Sequence, residues 1–345
     1  MVLKERFVNG LKHYFFNVVL IWLAILFYNS NKYYVDFLRD ETQITILYLA
    51  FAYTLFGILF YILIPIERHD SKGFILFKAF RRIFRDVKIY LRSFTSDPRY
   101  PLPRIEKYEK TAMLFLLVKL FFLPIMLNFF FSNYFGFIAR YGSLPSFGSL
   151  FTLGVFNTIV FPLLVSFIFM VDTLYFSFGY AFEAGFLRNK LRSVEPTILG
   201  WVVALISYPP FNNLASKYVS WYPNDFLVLS SELNTFILRA FLVLFLLIYL
   251  SATLALGTKC SNLTNRGIVS RGPYRFVRHP AYISKNMFWL LTVIPLMNLA
   301  AFASVFFWTF IYYLRAITEE RHLIQDPDYQ EYCKKVRYRF VPGVW

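Results

Sequence analysis

Charge is scarce in this 345-residue chain: 16% of its residues are Asp, Glu, Lys or Arg, where a soluble domain carries about a quarter. That shortage excludes an ordinary soluble globular protein. Cysteine is scarcer still, and Cys260 and Cys333 are the two in the chain. Both fall in segments that read as cytoplasmic, which implies reduced thiols and excludes a disulfide framework. The four histidines (His13, His69, His279 and His322) are scattered, without an HxxxH pair or a Cys/His cluster, so no metal site is expected. Acid is absent altogether between Gly257 and Thr318.

What the chain has instead is hydrocarbon. It is 58% hydrophobic and 21% aromatic, with a mean hydropathy of +0.50. The apolar runs are long and continuous, not alternating with a period of two, so the expected fold class is all-α, a polytopic integral membrane protein. The formal net charge of +16 would suit nucleic acid, but the basic residues lie between apolar runs, where the positive-inside rule places them. No nucleic-acid partner is expected, and no internal repeat or soluble domain is seen.

About eight spans can be read. Tyr14–Tyr28 follows a short basic segment and lacks a small-x-small cleavage site, so it reads as a spanning helix and not a secretory signal. Ile44–Ile66 is second, after a slightly acidic outer loop. The segment 67–110 holds twelve Lys/Arg against six Asp/Glu and should be cytoplasmic. Its Phe74–Leu91 part has the pattern of an amphipathic basic helix lying among headgroups, and Asp97–Pro103 should break it. Thr111–Phe131 and Ser149–Val171 are the third and fourth spans, followed by a polar cytoplasmic stretch, Asp172–Glu195. The apolar run after Pro196 ends at Tyr208-Pro-Pro210 and is short for a crossing. Ser207–Asp225 reads as an outer interfacial loop. Thr235–Leu256 returns, with Arg239 expected to snorkel near its outer end. Ala281–Leu296 and Ala300–Tyr313 read as an antiparallel helical hairpin, which leaves both termini cytoplasmic. The expected domains are 1–256, the N-terminal membrane helices with their basic loop, and 257–345, a cofactor-binding region.

Two polar clusters interrupt the hydrocarbon. Gly267–Tyr282 reads G-I-V-S-R-G-P-Y-R-F-V-R-H-P-A-Y. Arg266, Arg271, Arg275, Arg278 and nearby Lys285 make it strongly basic, with a Gly272-Pro273 turn and a stiff His279-Pro280 step before the next helix. A topology marker explains the cations, but not a His and two Tyr set closely around two prolines. The second cluster is Arg315, Glu319 and His322, which share one helical face at i, i+4 and i+7, with Glu320 beside them. The expected hairpin brings both clusters to one membrane face. Donors and acceptors would then surround one cavity suited to a zwitterionic ligand.

Gly272-Pro-Tyr-Arg-x-x-Arg-His-Pro-x-Tyr282, the hairpin, Arg315-x-x-x-Glu-Glu-x-x-Leu323 and Tyr329-x-x-Tyr332 before Val-Pro-Gly together resemble the isoprenylcysteine carboxyl methyltransferase superfamily. That group includes the bacterial phospholipid methyltransferases. The resemblance covers about Gly267–Trp345. It implies methyl transfer from S-adenosyl-L-methionine to a membrane lipid or lipidated acceptor, in a multi-pass protein whose active site faces the cytoplasm. Carried onto this chain, it assigns cofactor binding to Tyr274, Arg275, His279, Tyr282, Glu319 and Glu320. Tyr338, Phe340 and Pro342 become the lid over the adenosine, and Arg315, then Arg278, orient the acceptor. Ser284 stands where the family often has Gly. Glu319 and Glu320 exchange on a small helix rotation, so the sequence does not choose between them.

The cations near the site favour an anionic acceptor, which needs no base, over an amine, which must lose a proton. Carboxylate, phosphate and amine all stay open. The rival enzyme class is a membrane sterol reductase using a phosphorylated nicotinamide cofactor. A transporter or scaffold would need more ionisable residues in mid-membrane than Lys119 and Arg239 provide.

Overall fold

The computed structural model describes residues 2–63, 71–93, 104–296 and 298–344. They fall into two compact units, Met1–Pro124 and Ile125–Trp345.

The first unit contains α1 (Val2–Ser30), α2 (Lys32–Phe37), α3 (Asp40–Leu63), α4 (Lys72–Ser93) and the start of α5 (Lys107–Tyr141). The expected first span lies within α1, which extends back to Val2 because no Pro or Gly-rich break intervenes. Several polar side chains of these helices pair with one another. Asn17 donates to Tyr53 and Tyr61 and accepts from the Gly73 amide. Glu109, 1% exposed, is held by Arg82 of α4. Phe80, Phe84 and Leu91 of α4 are exposed, as an amphipathic headgroup helix requires. The expected break at Asp97–Pro103 and the last residues of the second span, 64–66, lie outside the described residues.

The second unit begins in α5 and continues through α6 (Leu153–Val155), a π-helical turn Phe156–Val160, and α7 (Phe161–Ala181). Next come β1 (Ser193–Val194), α8 (Ile198–Leu205), α9 (Phe211–Ala215) and α10 (Glu232–Leu256). After them are β2 (Thr264–Asn265), α11 (Pro280–Val293), α12 (Leu299–Leu323) and α13 (Pro327–Lys335). Phe161, Val165 and Ile168 of α7, Leu242, Leu246 and Tyr249 of α10 and Phe288 of α11 form its buried core. β1 and β2 pair antiparallel, Ser193 opposite Asn265.

Among the described residues six helices are long and apolar enough to cross a membrane: α1, α3, α5, the α6–α7 run, α10 and α12. Their large exposed side chains, such as Leu55, Phe56, Phe241, Leu244 and Phe306, form apolar surface far beyond what a soluble monomer shows. This is a multi-pass membrane protein. The other two of the eight expected spans correspond to shorter helices, α8 with 8 residues and α11 with 14, the latter continued by a 3-10 turn, Ile294–Leu296.

Two expectations about charged residues need correction. Asp172 does not open a polar stretch. It lies inside α7, 5% exposed, accepting from the hydroxyls of Tyr249 (2.8 Å) and Thr253 (2.6 Å) on α10. With both oxygens served, the carboxylate does not need water and the helix runs on to Ala181. Arg239 does not snorkel. It is 4% exposed and donates to the carbonyls of Asn157, Phe226 (3.1 Å) and Leu227 (3.2 Å). Phe226 and Leu227 lie in non-helical chain, so these carbonyls need a donor close at hand.

α7 approaches the end of α10 closely at Gly179, where a Cβ would stand 2.1 Å from the Cys260 carbonyl oxygen. Gly179→Ala should therefore force the backbones apart at a cost of about 1–3 kcal/mol. The expected result is a lower thermal unfolding midpoint in detergent. An unchanged midpoint would contradict the close approach.

Candidate active site

The basic motif is folded as a short 3-10 turn, Gly272–Arg275, and an extended step into α11, whose first residue, Pro280, suits a helix start. The C-terminal tail lies along this step. The amides of Arg278 and His279 donate to the carbonyls of Tyr338 and Arg339, each at 2.9 Å. Tyr332 of α13 donates to the Tyr274 carbonyl at 2.6 Å, and Tyr329, Tyr332 and Val336 pack against Ile268 and Tyr274.

The start of α11 meets the end of α12 through charge. The Glu320 carboxylate, its side chain 10% exposed, takes Arg278 at 3.1 Å, His279 at 3.0 Å and Arg339 at 2.9 Å. Tyr282 donates to Glu319 at 2.8 Å. The rings of His279 and Tyr282 stack with centroids 5.4 Å apart.

These groups surround a cavity of about 120 Å³. Of the residues singled out from sequence, Tyr274, Arg278, His279, Tyr282, Arg315 and Glu319 line it. The α12 face is the expected one, since Arg315, Glu319 and His322 all reach the cavity. Glu319 and Glu320 are no longer interchangeable: Glu319 lines the cavity, and Glu320 lies outside its wall within the ion-pair cluster. Arg275 does not join them. It is exposed and lies 4.8 Å from the centroid of the Phe276 ring. Of the expected lid, Phe340 approaches His279 (5.5 Å between rings), whereas Tyr338 and Pro342 are exposed and do not line the cavity. Tyr338 contributes its backbone carbonyl. Ser284 is 1% exposed and donates to the Pro280 carbonyl at 2.7 Å.

Sequence reasoning passed over Glu195 and Asn262. Glu195 is brought to the cavity by the β1–β2 pairing and the start of α8. Its Oε1 accepts from the Thr197 amide (3.0 Å) and from Arg321 (3.2 Å), while Oε2 is buried without a partner. Gly200 makes room for it, because a Cβ there would stand 2.3 Å from the Glu195 Cγ. Asn262 accepts from Arg315 at 3.1 Å and donates to Tyr208 at 3.2 Å. An acid before Pro-Thr signals a helix start, but nothing local signals its meeting with a helix more than a hundred residues away.

Enclosure pushes the Tyr274 phenol well above the usual tyrosine range, so it stays a neutral hydroxyl. The unpartnered Glu195 oxygen and the cavity-facing Glu319 fit an ammonium. Arg278 and His279 fit the carboxylate beside it, so the donor set suits the amino-acid end of S-adenosylmethionine.

Residues 231–326 match the phospholipid methyltransferase family. No curated protein and no solved structure matches the chain. The phospholipid methyltransferase-like segment thus contains α10, the basic motif, α11 and α12. Glu195 lies before it, and α13 and the tail lie after it.

Outside the membrane helices, the site is clasped by Asp326, which binds Arg192 (2.8 Å) and Asn265 (2.7 Å) and caps α13. Burial alone would raise its pKa, but these donors outweigh burial and hold the carboxyl below the usual aspartate range. A depressed folded pKa adds stability that is present above the unfolded value and lost as pH falls through the folded one. Asp326→Asn should therefore remove part of the acid-induced loss of stability, read as a shallower fall of the unfolding midpoint below about pH 4. A profile identical to wild type would show that the clasp is not coupled to folding.

Proposed function

We propose that this protein is an integral membrane methyltransferase that uses S-adenosylmethionine and modifies a lipid or lipidated acceptor at the cytoplasmic membrane face. The observation that supports this reading best is the meeting of Glu195 and Glu319 with Arg278 and His279 on one cavity. Three of these four residues come from the family-matched segment.

Bound there, S-adenosylmethionine would supply an electrophilic methyl group, carried on a sulfonium. Glu319, oriented by the Tyr282 hydroxyl, and Glu195 would hold its ammonium, and Arg278 and His279 its carboxylate. Phe340, on the tail, covers His279 and keeps water from that side. Arg315 is 6% exposed, with its guanidinium 5.0–5.8 Å from the ring centroids of Tyr312, Tyr282 and Tyr208. It is a fixed cation that orients an anionic acceptor oxygen. A carboxylate acceptor, such as that of an isoprenylcysteine, is already anionic, so no residue of the chain would have to take a proton from it. Glu320 acts as a positioning residue, through Arg278 and His279.

Calorimetry on detergent-purified protein tests this. Micromolar S-adenosylhomocysteine binding is expected. Glu319→Gln and Glu195→Gln should each weaken it about tenfold or more, the worth of a charge-assisted hydrogen bond. His279→Ala should abolish it. Binding of reduced nicotinamide dinucleotide phosphate in place of the homocysteine compound would assign the site to reductase chemistry. Binding of neither would leave the fold a scaffold.

A further inference from the structure

A second cavity, of about 440 Å³, opens beside the first within the same unit. Its walls come from α5, α7, the chain between α8 and α10, α10 itself at Tyr249, α11 and α12, so much of it lies outside the family-matched segment. Aromatic rings dominate it, among them Phe129, Phe169, Trp289 and Trp308, and the ionisable pair Asp172 and Lys285 also lines it. Ionisable groups among membrane-crossing helices are costly and are kept where they act on something.

The two charges differ in what they leave open. Both oxygens of Asp172 are occupied, by Tyr249 and Thr253. The Lys285 ammonium is held only against rings, 5.2 Å from the centroids of Tyr249 and Trp289 and 5.6 Å from that of Phe169, and makes no hydrogen bond among the described residues. An ammonium has three donors to satisfy. Asn212 adds a buried Oδ1 without a partner on the same wall. The cavity therefore offers a cation and an acceptor, and asks for an anionic group next to a hydrogen-bond donor.

It also adjoins the first cavity. Phe176 lines both. Arg315, in the first, lies on the rings of Tyr208 and Tyr312, which line the second, and Asn262 bridges Arg315 and Tyr208.

We infer that this second cavity is the acceptor chamber, seating the anionic group of a lipid headgroup, carboxylate or phosphate, on Lys285, with its apolar chain along the aromatic wall. The inference rests on the methyltransferase reading for what happens next, but not for the binding itself. An ammonium headgroup is disfavoured because Lys285 already occupies the aromatic wall and Arg315 stands at the shared one.

The test measures binding to the full chain in detergent by calorimetry, with two anionic probes, dihexanoyl phosphatidate and N-acetyl-farnesylcysteine. Their neutral counterparts are dihexanoyl glycerol and the N-acetyl-farnesylcysteine methyl ester. At least one anionic probe should bind, and which one does identifies the source of the anion. Lys285→Met should weaken that probe about tenfold or more, Lys285→Arg should retain it, and Asn212→Leu should weaken it a few-fold. S-adenosylhomocysteine binding, the check on folding, should stay within about twofold in all three. Equal binding of neutral and anionic probes, or an affinity indifferent to Lys285→Met, overturns the inference. Loss of the homocysteine compound from wild type with lipid binding intact overturns the methyltransferase reading and leaves the anion seat standing.

Discussion

One carboxylate, that of Glu320, holds together segments that the chain keeps far apart. Arg278 and His279 come from the motif, Arg339 from the tail, and Glu320 itself from the end of α12. Breaking a buried pair of this kind leaves uncompensated charge and costs about 3–5 kcal/mol. Here three side chains, Arg278, His279 and Arg339, would lose the same partner at once. The cluster also sets the rotation of α12. With about 100° between successive helical residues, fixing Glu320 against Arg278 directs Glu319, and with it Arg315 and His322, to the cavity. The tail is held by the same group, through Arg339.

The second organising constraint is the early end of α8. A helix of 8 residues spans about 12 Å, and the chain that follows turns. Irregular backbone has to satisfy its polar groups within the protein or at a cavity. The Tyr208 turn does the latter, and Tyr208 stands in the wall between the two cavities. At its other end the same short helix caps on Thr197 and, through Gly200, leaves room for the Glu195 carboxylate. A full-length helix here would have continued past the site without delivering either group.

Much of this was legible in the sequence. Long apolar runs located the helices because hydrophobicity dictates burial in lipid residue by residue. The motif residues were legible because a turn, a stiff His-Pro step and helical spacing are local properties. Asp172, Arg239 and Glu195 were not, for a common reason. Each is a charged side chain whose partners lie on other elements, and sequence reasoning defaults to water as the partner. Asp172 found two hydroxyls, Arg239 three carbonyls, and Glu195 a pocket made by a missing Cβ. Tyr338 and Pro342 lie outside the cavity lining for a different reason. The tail engages the motif through backbone hydrogen bonds, which side-chain identity does not report.

The acid-free stretch from Gly257 to Thr318 explains why the site has to be assembled and cannot be inherited from one segment. Its cations repel one another in any extended chain, and nothing within it can neutralise them. Compensation arrives from outside: Glu320, after the stretch, pairs with Arg278 and His279, and Asp172, before it, shares the Tyr249 side chain and the second cavity with Lys285. Neutralisation is nonetheless incomplete where it matters. Arg315 is matched by rings and an amide, and Lys285 by rings, neither by a carboxylate of its own. Hydrogen-bond donors left open at those two positions are where, on the reading proposed above, an anionic acceptor would dock, and the distribution of acids along the chain leaves them open.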